Sequence, residues 1–483
     1  MWCNPLMRRS YWAAFALCAA AATVPLLVTG VLPMADLPEH MAQVAIWKHF
    51  DDPCHRFSDI YRLNWATPYL LGYVLTRLFA GFVTVSAAVK LTVWLSIVTL
   101  PLSVRALLRR GGGDVWWSLL AFPLAYGYSF YWGFLNFSIA LPIAIYAIAL
   151  LYDAPRRHVA IAALGMLLIV AHVLLFAFFG VVAVCVAIAR RSFRLVLAVL
   201  PPFALTVIYL LRLRREPAAA YDLTWNAGTA RFFDFPSLLF ANSWEPAALP
   251  LLAALVSAIA VARPSLTRDF ARWLLVGLAA MACFVAPVGA FGATFLAGRF
   301  AVLTVIGALF LFDGAGHRVS RAIVITFVFV WMGVLTVRFQ RFDAEVREFE
   351  QIVESLPPNR RVAMLNVVPF SDHVPGPVYW HFAALYQVRK GGLIAWSFAG
   401  HHPPLVRYRD GAEPVVQSRS TPVEGIDWPG ILRYDYVLLR APYVSALGGA
   451  PVPLVLRARR GMWWAFATPR ASAPQPHCTP LNE

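Results

Sequence analysis

Apolar runs of about twenty residues recur along the first 337 positions, beginning with "YWAAFALCAAAATVPLLVTGVL" at 11–32. A helix of that length crosses the hydrocarbon core of a bilayer, where the segment itself must satisfy every backbone N–H and C=O. That excludes most folds at once. Composition agrees: of 483 residues, 60% are hydrophobic and 14% charged, with mean hydropathy +0.64. A soluble domain is about half apolar and about a quarter charged. The chain reads as a polytopic α-helical membrane protein.

The net charge of +16 sits mostly in short arginine clusters between the apolar runs. This is the pattern of the positive-inside rule, so the charge reports topology and no nucleic-acid partner is expected. Arg8 and Arg9 place the N-terminus in the cytoplasm. Pro33 and Asp36 follow the first span where a removed signal peptide would carry a small-residue cleavage site. Residues 33–84 then form an external loop. Within it "ATPYLLGYVLTRLFAGF" (66–82) reads as a helix half-buried at the outer surface, because counting it as a span would put Arg105, Arg109 and Arg110 outside. The expected spans are 11–32, 86–108, 115–131, 137–152, 159–173, 174–190, 195–213, 246–262, 270–288, 293–312 and 320–337, eleven in all, with 159–190 also readable as one tilted, kinked helix. "PRRH" (155–158), Arg190, Arg191, Arg194, Arg263, Arg268, Arg318 and Arg321 then face the cytoplasm. Arg212, Arg214 and Arg215 fall outside, against the rule.

The division expected is a membrane part, 1–338, and a small C-terminal extracytoplasmic α/β domain, 339–483. "FDAEVREFEQIVESL" reads as a helix with Val346, Phe349, Val353 and Leu356 on one face. A buried strand is expected over 361–368, a helix over 378–388 and a second strand over 434–440, with Pro- and Gly-rich loops between. No internal repeat, P-loop or dinucleotide fingerprint is present.

Six cysteines show no metal-type spacing. Cys18, Cys185 and Cys283 fall in spans and Cys3 in the cytoplasm, so Cys54 and Cys478 are the external pair. In an oxidising compartment these two can form a disulfide; two unpaired thiols is an equally open reading.

"MADLPEHMAQVAIW" (34–47) puts Asp36, Glu39 and His40 just beyond the outer end of the first span. One reading is a capping box, with Asp36 capping a helix and Glu39 reaching back to its amide, and Pro38 suits an early helical position. The other reading is a site. On a helix Asp36, Glu39, His40 and Gln43 share one side, opposite Leu37, Met41 and Val44, so the polar side forms a pocket wall at the mouth of a bundle.

An acidic pair in the first external loop, directly after span one, resembles the GT-C superfamily of integral membrane glycosyltransferases, which use polyprenyl-phosphate-linked sugars. The resemblance extends to the surface-helical first loop, the "TPYLLGYVLTRLFAG" segment, the eleven spans with a soluble domain outside, and "LAGRFAVLT" (296–304), similar to the family's late Arg-Tyr segment. It covers about residues 1–337. The usual adjacent acidic pair is here spaced D-x-x-E, and Phe300 stands at the Tyr position.

The resemblance implies Asp36 as the base that deprotonates an acceptor, with Glu39 orienting Asp36 or the acceptor. Arg299 would hold the lipid phosphate, to which a guanidinium forks well; its alternative is an arginine reaching to headgroups. His172, in "IVAHVLLF", is ionisable at membrane depth and so either functional or structural. His40 is a phosphate contact or part of the helix face. Asn136, in the outward aromatic stretch "YSFYWGFLNFS" (128–138), contacts acceptor sugar unless the stretch is an interfacial belt. His373, His381, His401 and His402 lie in external loops without metal spacing. No cofactor is specified; a divalent cation is compatible but not required. The implied partners are membrane lipid, a polyprenyl-phosphate sugar donor, and a glycan, lipid or protein acceptor. The implied location is a bacterial inner membrane, in the cell envelope. Two other readings stay open: a non-catalytic membrane scaffold, in which Asp36 is only a cap, and a transporter of lipid-linked substrate. A transporter would need matching halves with discontinuous helices, and none is seen.

Overall fold

The computed structural model describes residues 5–153, 157–213, 223–225, 228–240, 248–290, 294–314, 317–400, 404–414, 426–447, 450–472 and 478–481. Cys3, Arg214, Arg215, His401 and His402 lie outside the described residues. The chain folds into two compact units that interleave along the sequence. One comprises Met1–Pro25, Val93–Phe130 and Asn136–Leu335; the other comprises Leu26–Thr92, Tyr131–Leu135 and Thr336–Glu483.

The first unit is helical. Arg8–Leu27, Val85–Gly111 and Arg318–Glu354 are long and apolar enough to cross a membrane, by length and composition. Shorter apolar helices include Leu135–Leu151, His158–Ala171, Val173–Ala189 and Phe270–Phe284. Leu17, Val181, Ile188 and Phe203 are exposed on the helices, which suits hydrocarbon rather than water. The apolar stretch 159–190 divides at His172, whose extended backbone (φ −169°, ψ 109°) separates two helices as expected.

The single span expected over 115–131 is instead three short pieces: a 3₁₀ turn Val115–Leu120, then Ala121–Leu124 and Tyr128–Trp132. Local chemistry explains the break. The Asp114 carboxylate accepts from the Trp116 amide and opens a tight turn, and Pro123 brings no N–H to a helix. At Gly127 a Cβ would stand 2.7 Å from the Leu239 carbonyl oxygen, so a close backbone approach occupies the space of a side chain.

The second unit carries a five-stranded sheet in the spatial order Leu393–Ile394, Arg361–Asn366, Tyr436–Arg440, Trp463–Ala467, Val455–Arg460. The first three strands are parallel and the last two antiparallel. Ala363, Leu365, Val437, Leu439, Trp464 and Phe466 build the core on one face. On the other, Phe349 packs its ring 4.5 Å from that of Trp463. The foreseen apolar face of the 342–356 segment is real: Val346, Phe349, Val353 and Leu356 are all buried. The helix expected over 378–388 begins later, as Ala383–Lys390, after turns through 378–382. Tyr61–Leu63 pairs antiparallel with Val406–Tyr408, and Cys54 is disulfide-bonded to Cys478 with Cα atoms 5.6 Å apart.

Candidate functional site

The helix Leu37–Lys48 forms as "LPEHMAQVAIWK" predicts, with Pro38 in its first turn. The capping box does not form. Asp36 occupies the N-cap position but makes no side-chain cap hydrogen bond, and its backbone sits in the helical region (φ −85°, ψ −7°), so the carboxylate is not aimed at the first-turn amides. Glu39 does not reach back either. Its Oε2 accepts from the Phe398 amide at 2.9 Å and from Ser397 Oγ at 3.1 Å, and the side chain is fully buried. A carboxylate so deep is tolerated because donors meet it there.

The polar stripe of Asp36, Glu39, His40 and Gln43 exists, but three of its members are spent on protein contacts. Gln43 Oε1 accepts from the Val406 amide at 2.7 Å. His40 Nδ1 lies 2.8 Å from the Tyr73 hydroxyl, with its ring 5.4 Å from that of Phe398. Burial, with the Glu39 and Asp36 carboxylates nearby, pushes the Tyr73 phenol well above its usual range, so that hydroxyl keeps its proton. The stripe is thus less a pocket wall than a seam against residues 397–406. Asp36 alone of the four is not buried.

Backbone contacts fix the position of Asp36. The Ala35 and Asp36 amides donate to the Tyr131 and Trp132 carbonyls at 2.8 and 3.1 Å. Gly133 closes this clamp at φ +82°, where a Cβ would stand 2.6 Å from the Asp36 nitrogen; glycine is required there. The Asp36 Oδ1 then lies 3.4 Å from Nε2 of His381, a residue sequence reasoning left unassigned. His381 is buried, stacked on Trp396 with ring centroids 4.3 Å apart.

The other candidates belong to the first unit. Arg299 sits on the 3₁₀ turn Ala297–Phe300. Its Nε donates to the Phe295 carbonyl and its Nη2 to the Thr294 carbonyl, both at 3.2 Å. Its Nη1 is 3.3 Å from His172 Nε2. A guanidinium only donates, so His172 accepts through Nε2 and is neutral there. The guanidinium lies 5.9 Å from the centroid of the Phe137 ring, and Asn136 is buried one residue earlier on the helix Leu135–Leu151. Ser96, Tyr128, Ser129, Ser138 and Arg299 share the lining of a pocket of about 30 Å³. One strong cation among hydroxyls can bind an anionic oxygen.

Asp36, Glu39 and His40 therefore fall in the second unit, and Arg299, His172 and Asn136 in the first. Among the described residues, no group of three His, Cys, Asp or Glu side chains is arranged to hold a metal ion. His373 Nε2 lies 3.8 Å from Glu345 Oε1.

No protein-family model and no curated protein matches the sequence. Among solved structures, the chain is similar to ArnT from Cupriavidus metallidurans, a crystal structure bound to undecaprenyl phosphate. The identity is 14% and the TM-score 0.55, over 96% of this chain and 99% of that one. At that identity the likeness concerns the fold alone.

Proposed function

We propose that the protein is a membrane glycosyltransferase that moves a sugar from a polyprenyl-phosphate carrier to an extracytoplasmic acceptor. The observation that carries this reading is the Asp36 carboxylate, held by a backbone clamp and a glycine yet not used as a helix cap. Asp36 takes the proton of an acceptor hydroxyl as that oxygen bonds to the anomeric carbon. The bond from that carbon to the lipid phosphate breaks, and the phosphate leaves with the electron pair. Within the first unit, Arg299, contacted by His172, is the group proposed to bind a lipid phosphate, and Asn136 the one proposed to contact a sugar. Glu39 and His40 hold the helix that carries Asp36.

In this reading residues 1–338 form the membrane part, the loop 33–84 and the segment 339–483 lie outside, and the membrane is a bacterial inner membrane. The fold shared with a structure that holds undecaprenyl phosphate supports the donor class.

The test is Asp36→Asn in the full chain, reconstituted with undecaprenyl-phosphate-linked sugars and assayed by release of undecaprenyl phosphate. Turnover falls by roughly a hundredfold or more while thermal stability is unchanged. A variant as active as the parent would return Asp36 to a structural role.

A further inference from the structure

His381 has no place in the reading above, yet three stretches of chain far apart in sequence converge to set it against Asp36. The first, 35–36, is pinned by backbone hydrogen bonds to the second, 131–133. The third, 380–398, carries His381 between Trp396 at 4.3 Å and Phe398 at 5.7 Å. Trp132 ties the second stretch to the third, its ring 5.7 Å from that of Trp380. Glu39 ties the first to the third by accepting from Ser397 and Phe398, the neighbours of the aromatic cage. A leucine would fill this cage without the desolvation cost of an imidazole. What the imidazole adds is Nε2, 3.4 Å from Asp36 Oδ1.

We infer that His381 is a positioning residue for Asp36, donating from Nε2 to Oδ1 and so directing the second carboxylate oxygen to the acceptor hydroxyl. This rests on the glycosyltransferase reading of Asp36. A carboxylate accepts only, so the proton in this contact belongs to the histidine. The separation of 3.4 Å is at the long end for a hydrogen bond, as catalytic contacts in unliganded structures often are. His381 touches no reacting atom. Its contribution is to hold one rotamer of Asp36, which makes it a determinant of kcat rather than of donor KM.

Three variants of the full chain separate this role from packing, again with undecaprenyl-phosphate-linked sugars and release of undecaprenyl phosphate as readout. His381→Phe keeps the ring stacked on Trp396 and removes the nitrogen. His381→Gln carries an amide nitrogen about as far out as Nε2, whereas His381→Asn carries one only at the depth of Nδ1. Expected are a loss of kcat of about tenfold or more for His381→Phe at unchanged donor KM, recovery to within a few-fold of the parent for His381→Gln, and no recovery for His381→Asn. Melting temperatures identify any variant that has merely lost its fold. Parent-like kcat in His381→Phe overturns the inference, as does equal loss in folded Gln and Phe variants. If Asp36→Asn is itself active, the catalytic reading of Asp36 fails instead, so the two failures are distinguishable.

Discussion

Glu39 and Phe398 stand 359 residues apart in the chain and 2.9 Å apart in the fold, the buried carboxylate accepting from the Phe398 amide. Truncating Glu39 leaves that amide and the Ser397 hydroxyl without their acceptor. Glu39→Ala is therefore expected to destabilise the protein by about 2–3 kcal/mol, read as a lowered melting temperature. Glu39→Gln is expected to cost less, since its amide oxygen still accepts. Had the carboxylate capped its own helix, Glu39→Ala would cost only about 1 kcal/mol.

Gly133 offers a test of the clamp on Asp36. Gly133→Ala puts a methyl at positive φ and against the Asp36 nitrogen, so we expect a loss of about 1–3 kcal/mol and a steep fall in turnover. Gly112→Ala is the control. Its φ is also positive, +80°, but nothing lies within 4 Å of the added carbon. It should cost about 1 kcal/mol and leave turnover unchanged.

Arg299→Lys keeps a positive charge but loses the planar fork held by Thr294, Phe295 and His172. Binding of undecaprenyl phosphate, measured by native mass spectrometry, should weaken by about tenfold or more. His172→Ala removes one orienting contact and no charge, so its effect should be smaller. Equal affinity in the parent and Arg299→Lys would count against a phosphate site at this turn.

Trp65 and Tyr443 belong to one compact unit, are both exposed, and so should face one compartment. Cysteines introduced as Trp65→Cys and Tyr443→Cys should both react with a membrane-impermeant maleimide from the non-cytoplasmic side. Reaction of either from the cytoplasmic side alone would invert the topology.

Features with a local cause were legible in the sequence. The helix Leu37–Lys48, the apolar face through Val346, Phe349 and Val353, and the division at His172 all follow from periodicity or a polar interruption. The strand Tyr436–Arg440 was foreseen, while the hairpin Val455–Arg460 and Trp463–Ala467 was not. Gly461, at φ +52° between the paired ends Arg460 and Trp463, was the available sign of that turn. The span expected over 115–131 failed because hydropathy sums over a window and does not register Asp114, Pro123 and Gly127 as breaks. The site was half legible. Asp36 was picked from its place after the first span, but the partners of Asp36 and Glu39 come from 381 and 397–398, and no local pattern encodes a contact over that separation.

Cys54 is made 424 residues before Cys478, to which it is disulfide-bonded. At elongation rates of about 5–20 residues per second that interval is roughly 20 to 85 s. For most of it the helix that follows Asp36 has been synthesised but the amides of Phe398 and Val406, which engage Glu39 and Gln43, have not. The nascent protein thus carries an unanswered carboxylate until Ser397 and Phe398 have been made. Loss of the segment 397–478 would leave Glu39, Gln43 and Cys54 without the partners that the fold gives them.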